Sequence, residues 1–195
     1  MDKKIKVAIT GGIGTGKSTL SAVLKRAGYF VVSCDEVTAG LYGKRFVKKG
    51  IKKLFPSAVT GIFRLVVDKK VIAKEVFSCP EKRKALEDFL HPLIMGKVQT
   101  ALNRAKGKMV FAEVPLLFEG GYEKQFDKVI ILTRPVAQRV ESVMARSNIT
   151  KEEVLQRIDN QVDYGKLDMA KYTHIFNGGD KKELENEVLT EISKW

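Results

Sequence analysis

The sequence predicts a three-layer α/β fold in which a parallel β-sheet lies between two layers of helices. Five short apolar runs rich in β-branched residues recur along the chain, and polar stretches with helical character separate them. This alternation is typical of βαβ units, whose crossover helices cover both faces of a parallel sheet. The five predicted strands are Ile5 to Thr10, Tyr29 to Val32, Met109 to Val114, Val129 to Leu132 and Tyr172 to Phe176.

The spacing of these strands indicates an insertion. One helix, predicted over Lys17 to Ala27, separates the first two strands, whereas residues 33–108 separate the second from the third. A crossover between parallel strands needs only about a dozen residues. We predict that the insertion contains a helix from about Pro80 to Phe89, then His91-Pro92, and then a second helix toward Arg104.

A second polar segment with helical character lies before the last strand, over residues 137–164. Within it, Thr150 and Glu153 have the spacing of a capping box, which predicts that a new helix starts there. The sequence shows no internal repeat and no linker long enough to separate independent domains. We therefore expect one globular unit with an insertion.

The composition excludes several classes of protein. Of the 195 residues, 44% are hydrophobic, which is too many for a disordered chain. No apolar run approaches the roughly 20 residues of a membrane-spanning helix, and the charged start is unlike a signal peptide, so we expect a cytosolic location. The two cysteines, Cys34 and Cys79, belong to no cluster that could hold zinc.

The net charge favours a polyanionic partner. Thirty-five Lys and Arg against 23 Asp and Glu give a formal charge of +12, which suits nucleotides, nucleic acid or acidic lipid. Residues 44–74 contain a basic cluster with one acid, Asp68. The cluster consists of Lys44, Arg45, Lys48, Lys49, Lys52, Lys53, Arg64, Lys69, Lys70 and Lys74. A solvated, lysine-rich surface is the alternative explanation.

The most specific motif follows the first predicted strand. Residues 11–18 read Gly-Gly-Ile-Gly-Thr-Gly-Lys-Ser, which fits G-x-x-x-x-G-K-[ST] between a strand and a helix. Glycines let the backbone N–H groups turn toward phosphate oxygens, and the helix N-terminus attracts the anion. Lys17 should reach the β- and γ-phosphates, and Ser18 should ligate Mg²⁺. A glycine-rich turn without a ligand is the alternative, and a dinucleotide-binding motif is excluded by the glycine spacing.

The remaining sequence narrows the reaction to that of a small kinase. An Asn-Lys-x-Asp motif, which a GTPase would show, does not occur. Helicases and motors need a longer chain and a hydrophobic strand that ends in Asp-Glu, whereas the Asp35-Glu36 pair follows only the short second strand. A kinase needs a carboxylate that accepts the proton of the acceptor hydroxyl.

Asp35 is our candidate for that carboxylate. We expect the second predicted strand to lie directly beside the strand that precedes the phosphate-binding motif. Its exit would then deliver Asp35 to the edge of the sheet where ligands bind in open α/β folds. A helix N-cap is the alternative role for an aspartate at such a junction.

Further segments extend the pattern over nearly the whole chain. They are Val76-Phe77, His91-Pro92-Leu93-Ile94 and Val114-Pro115-Leu116-Leu117-Phe118-Glu119, with Arg146, Arg157 and Gln161. Together with the phosphate-binding motif and Asp35, they resemble the dephospho-coenzyme A (dephospho-CoA) kinase family. The resemblance implies a P-loop kinase fold with a five-stranded parallel core (residues 1–36, 105–136 and 166–195), an inserted helical substrate region (37–104) and a lid (137–165). It also implies transfer of the γ-phosphate of ATP to the ribose 3′-hydroxyl of dephospho-CoA.

The resemblance also assigns roles to single residues. Asp35 would contact the acceptor hydroxyl, Arg146 would be a lid arginine that acts with Lys17 in catalysis, and Asn177 would lie near the adenine. ATP phosphates and Mg²⁺ would be bound by Gly12, Gly14, Thr15, Gly16, Lys17, Ser18 and Thr19. The acceptor would be bound by Lys69, His91, Pro115, Leu116, Leu117, Phe118 and Glu119.

The chain departs from the family pattern at several positions. Ser33 stands where the family usually has the first Asp of Asp-Ala-Asp, and Glu113 replaces an Asp. Ser142 stands where a lid arginine is usual, with Arg139 one helical turn earlier as a possible substitute. Lys69 stands where arginine is common, so the charge is kept but the bidentate geometry is lost.

Two other functions stay open at this stage. One is a different small-molecule kinase on the same scaffold, acting on a nucleoside or a nucleoside monophosphate. The other is a nucleic-acid-binding module with a vestigial nucleotide site, which the lack of aromatic residues between the lysines disfavours. We therefore expect a small-molecule partner and neither a nucleic acid nor a membrane.

Overall fold

The central feature of the structure, a computed structural model that describes residues 4–168 and 170–195, is a five-stranded β-sheet. The strands are β1 (Ile5–Gly11), β2 (Phe30–Ser33), β3 (Val59–Thr60), β4 (Val66–Val67), β5 (Met109–Glu113), β6 (Lys128–Thr133) and β7 (Thr173–Phe176). β3 and β4 form a separate antiparallel hairpin. The other five strands coincide with the five predicted apolar runs, so the predicted α/β fold is confirmed.

The strand order corrects one expectation. The order is β2-β5-β1-β6-β7, and β1 pairs in parallel with both β5 and β6. The prediction that the second strand lies directly beside β1 is therefore wrong, because β5 separates them. Burial explains the arrangement: four of the five residues of β5 are buried, as in an inner strand, whereas β2 begins with the exposed Phe30.

The helices follow the predicted pattern at most positions. They are α1 (Lys17–Arg26), α2 (Cys34–Tyr42), α3 (Arg45–Leu54), α4 (Lys69–Ser78), α5 (Pro80–Arg104), α6 (Val136–Ser147), α7 (Lys151–Asp159) and α8 (Lys181–Ser193). The predicted capping box of Thr150 and Glu153 is present at the start of α7. None of the helices in the described residues combines the length and the apolar composition that crossing a membrane requires.

α5 differs from the prediction of two helices around His91-Pro92. It is one continuous helix of 25 residues with Pro92 inside it. A proline in a helix interior removes one hydrogen bond and costs about 3 kcal/mol. Leu90 precedes Pro92, and Met95 and Val98 follow it, and all three are buried. Each such side chain contributes about 1.5–3 kcal/mol, which offsets the cost of the proline.

The chain forms two compact units, and each has its own hydrophobic core. The first unit runs to Val32 and resumes at Arg104, and the second spans Ser33–Asn103. The core of the first unit joins the sheet to α1 and α8 and includes Val7, Ile9, Leu20, Leu24, Phe111, Ile130, Leu132, Ile175 and Val188. The core of the second unit includes Val47, Ile51, Phe55, Ile72 and Leu90. The predicted three-part division, with a lid over residues 137–165, stays a prediction.

His174 lies in β7, as predicted, and should make stability depend on pH. Its Nε2 atom is buried without a hydrogen-bond partner among the described residues, and burial lowers the pKa of its imidazole below the usual 6.5. The unfolded chain therefore binds a proton more readily than the folded chain does. We expect the full contribution of neutral His174 to the free energy of unfolding above pH 6.5. This contribution should be lost as the pH falls from 6.5 through the lowered pKa of the folded protein.

Urea unfolding between about pH 8 and about pH 5 should show this dependence. The wild type should lose stability more steeply toward acid than the His174→Gln variant, which has no titrating group at this position. Parallel pH profiles for the two proteins would contradict the expectation.

Candidate active site

The phosphate loop, which we define as residues 11–18, joins β1 to α1 in a conformation that only glycine can adopt at key positions. Gly16 has φ +98°, and a Cβ atom there would lie 2.3 Å from Nδ2 of Asn177. A Cβ atom on Gly12 would lie 2.4 Å from Nη2 of Arg139. Bare backbone therefore faces its neighbours at these two positions, as a phosphate-binding loop requires.

Positive charge is concentrated where the loop enters α1. Nζ of Lys17 donates hydrogen bonds to the carbonyl oxygens of Gly11 (2.7 Å) and Gly12 (3.0 Å). The first turn of α1 contains no acidic residue, so the positive end of the helix dipole is not neutralised there. Ser18 is exposed and Thr19 is half-buried in the same turn. The predicted phosphate ligands of the loop thus belong to one continuous segment.

Two other side chains of the loop region, Thr15 and Asn177, make hydrogen bonds that hold the loop in place. The hydroxyl of Thr15 donates to the Gly12 carbonyl oxygen (2.9 Å), which closes the turn. Asn177, at the end of β7, is buried, and its Nδ2 donates to the Thr15 carbonyl oxygen (2.8 Å). Its backbone N–H donates to Thr133 at the end of β6. Asn177 therefore fixes the loop against two strand ends, and its expected contact with adenine stays a prediction.

Two residues from later in the chain contact the loop. The sequence suggests Arg139 only as a possible substitute for a lid arginine, and Gln161 only as part of the family resemblance. Oε1 of Gln161 accepts a hydrogen bond from the backbone N–H of Ile13 (2.7 Å). Nε of Arg139, on α6, donates to the Ile13 carbonyl oxygen (2.9 Å). Both backbone groups of Ile13 are therefore bound by side chains that are distant in sequence. The Ile13 side chain also packs against the buried Val140, Val143 and Val154 of α6 and α7.

A pocket of about 450 Å³ opens beside the loop. Its lining includes Gly12 and Thr15 of the loop, residues 132–134 at the end of β6, Arg139, and residues between 158 and 164. Arg134 donates to Oε1 of Gln138 (3.0 Å) and to Oγ of Ser142 (2.9 Å). Arg134 and Arg139 line this pocket together with Asp159 and Asp163, and Arg139 is bonded to the phosphate loop.

Buried polar groups line part of this pocket. Burial is the main cause that raises the pKa of Tyr164 above its usual value and lowers the pKa of the Arg139 guanidinium. The hydroxyl groups of Tyr164 and Thr10 are buried without a well-formed hydrogen bond to a described residue. Tyr164 therefore stays neutral at ordinary pH and forms a wall of the pocket.

Glu113 is the carboxylate at the end of β5, beside β1. It is buried, and its Oε2 accepts a hydrogen bond from Oγ of Ser21 on α1 (2.7 Å). No cluster of three or more His, Cys, Asp or Glu side chains that could hold a metal ion occurs in the described part of the chain.

The loop after β5, residues 115–119, contacts the segment after α7. The Phe118 ring lies 6.2 Å from the ring of Tyr164, and Oε1 of Glu119 accepts a hydrogen bond from Val162 (3.4 Å). Pro115 is half-buried, Leu116 is exposed and Leu117 is fully buried. A ligand could therefore reach Leu116 directly, whereas Leu117 supports the loop from the core.

The predicted Asp35, Lys69 and His91 belong to the second unit. Asp35 is exposed in the first turn of α2, where its N–H donates to Oγ of Ser33 (3.2 Å). Ser33 is thus the N-cap, and the carboxylate of Asp35 has no capping role. Nζ of Lys69 lies 4.6 Å from the centre of the Tyr42 ring, and His91 is half-buried in α5.

Arg146 lies in the last turn of α6 and is exposed. It follows Arg139 by seven residues, which places both on one face of the helix about 10 Å apart along its axis. The structure therefore brings Arg139, and not Arg146, into contact with the phosphate loop.

Comparison with known proteins gives a consistent result. The dephospho-CoA kinase family model matches residues 5–183. A dephospho-CoA kinase of Thermus thermophilus is 38% identical over 192 residues, which are 97% of this chain and 92% of that protein. The solved structure of TT1252 from Thermus thermophilus has a TM-score of 0.84 and 35% identity, and covers 98% of each chain. The dephospho-CoA kinase of Campylobacter jejuni has a TM-score of 0.68 and 26% identity, and covers 97% of each chain.

Proposed function

Because the chain belongs to the dephospho-CoA kinase family, we propose that it transfers the γ-phosphate of ATP to the ribose 3′-hydroxyl of dephospho-CoA. The products are CoA and ADP. The observation that carries this proposal is the phosphate loop. It combines bare glycine backbone with the ammonium group of Lys17 between β1 and α1, in a chain that matches the family over nearly its whole length.

The phosphate loop and α1 bind the ATP phosphates in this proposal. Backbone N–H groups of Gly12, Gly14, Thr15 and Gly16, and the start of α1 at Lys17 to Thr19, donate to the phosphate oxygens. On binding, the ammonium group of Lys17 exchanges the carbonyl oxygens of Gly11 and Gly12 for phosphate oxygens, because charge-assisted hydrogen bonds are stronger than those to neutral acceptors. Asn177 holds the loop in place and lies near the adenine.

Mg²⁺ suits the oxygen donors at this site. The exposed hydroxyl of Ser18 would ligate it directly, and the remaining ligands would be phosphate oxygens and water. Glu113 keeps one oxygen on Ser21 and would act only through water. When bound, Mg²⁺ neutralises charge on the β- and γ-phosphates.

Asp35 is the proton acceptor for the hydroxyl group of dephospho-CoA in this proposal. Since Ser33 caps α2, the Asp35 carboxylate keeps its lone pairs for a ligand. It accepts the proton of the 3′-hydroxyl as the oxygen attacks the γ-phosphorus and ADP leaves. Lys17 and Arg146, the proposed lid arginine, stabilise the negative charge that spreads over the transferred phosphate.

The acceptor is held by Lys69, His91 and the loop after β5 in this proposal. Lys69 supplies a positive charge for the pyrophosphate of dephospho-CoA, and His91 contributes to its binding. Pro115, Leu116, Phe118 and Glu119 form a wall of the acceptor site, with Leu117 buried behind them. We further propose a cytoplasmic enzyme with a small-molecule substrate and without a nucleic-acid or membrane partner.

A comparison of acceptors tests this function. Purified protein with ATP and Mg²⁺ should release ADP rapidly with dephospho-CoA and at least about 10²-fold more slowly with adenosine or AMP, since both lack the pantetheine part. Mass spectrometry should identify CoA as the product. Equal or faster turnover of AMP or adenosine would instead assign the protein to a different small-molecule kinase.

A further inference from the structure

We propose that Arg139 is a catalytic residue that binds the transferred phosphate and stabilises its charge in the transition state. This inference rests on the proposed kinase function and adds a residue to the machinery described above. Besides Lys17, Arg139 adds a second positive charge at the loop, whereas position 142, where the family resemblance implies an arginine, is Ser142.

The guanidinium group of Arg139 is placed to meet a ligand of the phosphate loop. It lies against the phosphate loop, where Nε bonds to the Ile13 carbonyl oxygen (2.9 Å) and Nη2 occupies the space that a side chain on Gly12 would fill. The backbone of Arg139 also lies against the loop, because a Cβ atom on Gly14 would lie 2.7 Å from the Arg139 carbonyl oxygen. Two glycines of the loop therefore leave room for Arg139.

Arg139 has no carboxylate partner among the described residues. The side chain is about half-buried, and the only nearby ionisable group that acts on its pKa is Tyr164, among the described residues. Asp159 and Asp163 line the same pocket, but Asp163 pairs with Lys166 (3.3 Å), and neither forms an ion pair with Arg139. A half-buried cation without a carboxylate partner is best stabilised by an anionic ligand.

The guanidinium group of Arg139 donates to neutral acceptors. Besides the Ile13 carbonyl oxygen, Oε1 of Gln161, at 3.5 Å, is the only acceptor of its hydrogen bonds among the described residues. A guanidinium group carries five N–H donors in a planar fork, so most of them are available. Phosphate oxygens accept such bonds in pairs and hold them more strongly than neutral acceptors do.

Neighbouring residues explain why Arg139 has this role in this chain. Ser142 is uncharged and accepts a hydrogen bond from Arg134. Arg146 lies on the same face of α6, about 10 Å farther along the helix and exposed to solvent. Arg139 is therefore the arginine of this helix face that is already at the phosphate loop.

The test compares the steady-state kinetics and ATP affinity of wild type, Arg139→Gln and Arg139→Lys. Gln161→Ala removes the other side-chain bond to Ile13, and Arg26→Gln removes an arginine of an exposed ion pair as a matched control. Wild-type turnover of dephospho-CoA is measured first, because inactivity there would refute the proposed function and not this inference.

We expect R139Q to lower kcat by about 10²- to 10³-fold, with the dissociation constant of ATP changed by less than about threefold. R139K should retain more activity than R139Q because it keeps the charge. Q161A should lose less kcat than R139Q because it removes only a neutral contact to Ile13, and R26Q should stay within about threefold of wild type. Three outcomes would overturn the inference: wild-type kcat in R139Q, a loss of ATP affinity that accounts for the whole defect, or an equal loss in Q161A, which would mean that Arg139 only holds Ile13.

Discussion

The Asp35→Asn variant is expected to phosphorylate dephospho-CoA about 10²- to 10⁴-fold more slowly than the wild type, with the affinity for ATP nearly unchanged. Asparagine keeps the size of the side chain but cannot accept the hydroxyl proton. In the proposed mechanism the phosphate loop binds the ATP phosphates and Asp35 contacts only the acceptor, so ATP binding should not depend on Asp35. Because Ser33 caps α2, the substitution should also leave folding intact.

Glu36→Gln provides the matched control for Asp35→Asn. Glu36 is the next residue, is also exposed, and lies in the same first turn of α2. Its replacement removes the same charge from the helix N-terminus, where an acid contributes about 0.3–1 kcal/mol. Steady-state kinetics and calorimetric ATP titration of both variants separate the loss of the proton acceptor from the loss of a negative charge at the helix N-terminus. Turnover of Asp35→Asn that matches Glu36→Gln would exclude Asp35 as the proton acceptor.

The Lys17→Ala variant is expected to lose both ATP binding and turnover. Lys17 begins α1, and its ammonium group already lies over the carbonyl oxygens of Gly11 and Gly12. Its charge should contribute to the bound triphosphate and more strongly to the transition state. We expect ATP affinity to fall at least about tenfold and kcat to fall about 10²- to 10³-fold.

Lys25→Ala is the control for Lys17→Ala, because Lys25 is exposed in the last turn of the same helix. Lys25→Ala should leave the dissociation constant of ATP and kcat near their wild-type values. Thermal unfolding of each variant verifies that the loop bonds of Lys17 are not required for folding. A Lys17→Ala protein that binds ATP with wild-type affinity would show that the loop does not bind the triphosphate as proposed.

Features encoded by adjacent residues could be predicted from the sequence. The apolar runs of the sheet, the phosphate loop and the capping box at Thr150 each depend on neighbours within a few positions. The order of the strands does not, and β5 between β1 and β2 was missed for that reason. The hairpin of β3 and β4 was missed because two-residue strands are too short to show an alternating pattern.

The contacts that fix the phosphate loop join residues far apart in the chain. Arg139 is 126 positions from Ile13, Gln161 is 148 positions from Ile13, and Asn177 is 162 positions from Thr15. α6 contains two arginines, Arg139 and Arg146, and only tertiary packing shows which of them reaches the loop. Lys17 and the glycines could be predicted because the chemistry of the motif is local.

The most direct test of the proposed reaction is a crystal structure of the protein with a non-hydrolysable ATP analogue, Mg²⁺ and dephospho-CoA. We predict that the ribose 3′-oxygen lies about 2.6–3.2 Å from a carboxylate oxygen of Asp35 and about 3–3.5 Å from the γ-phosphorus. A 3′-oxygen that points away from both, with the triphosphate bound in the loop, would contradict the assignment of acceptor and base.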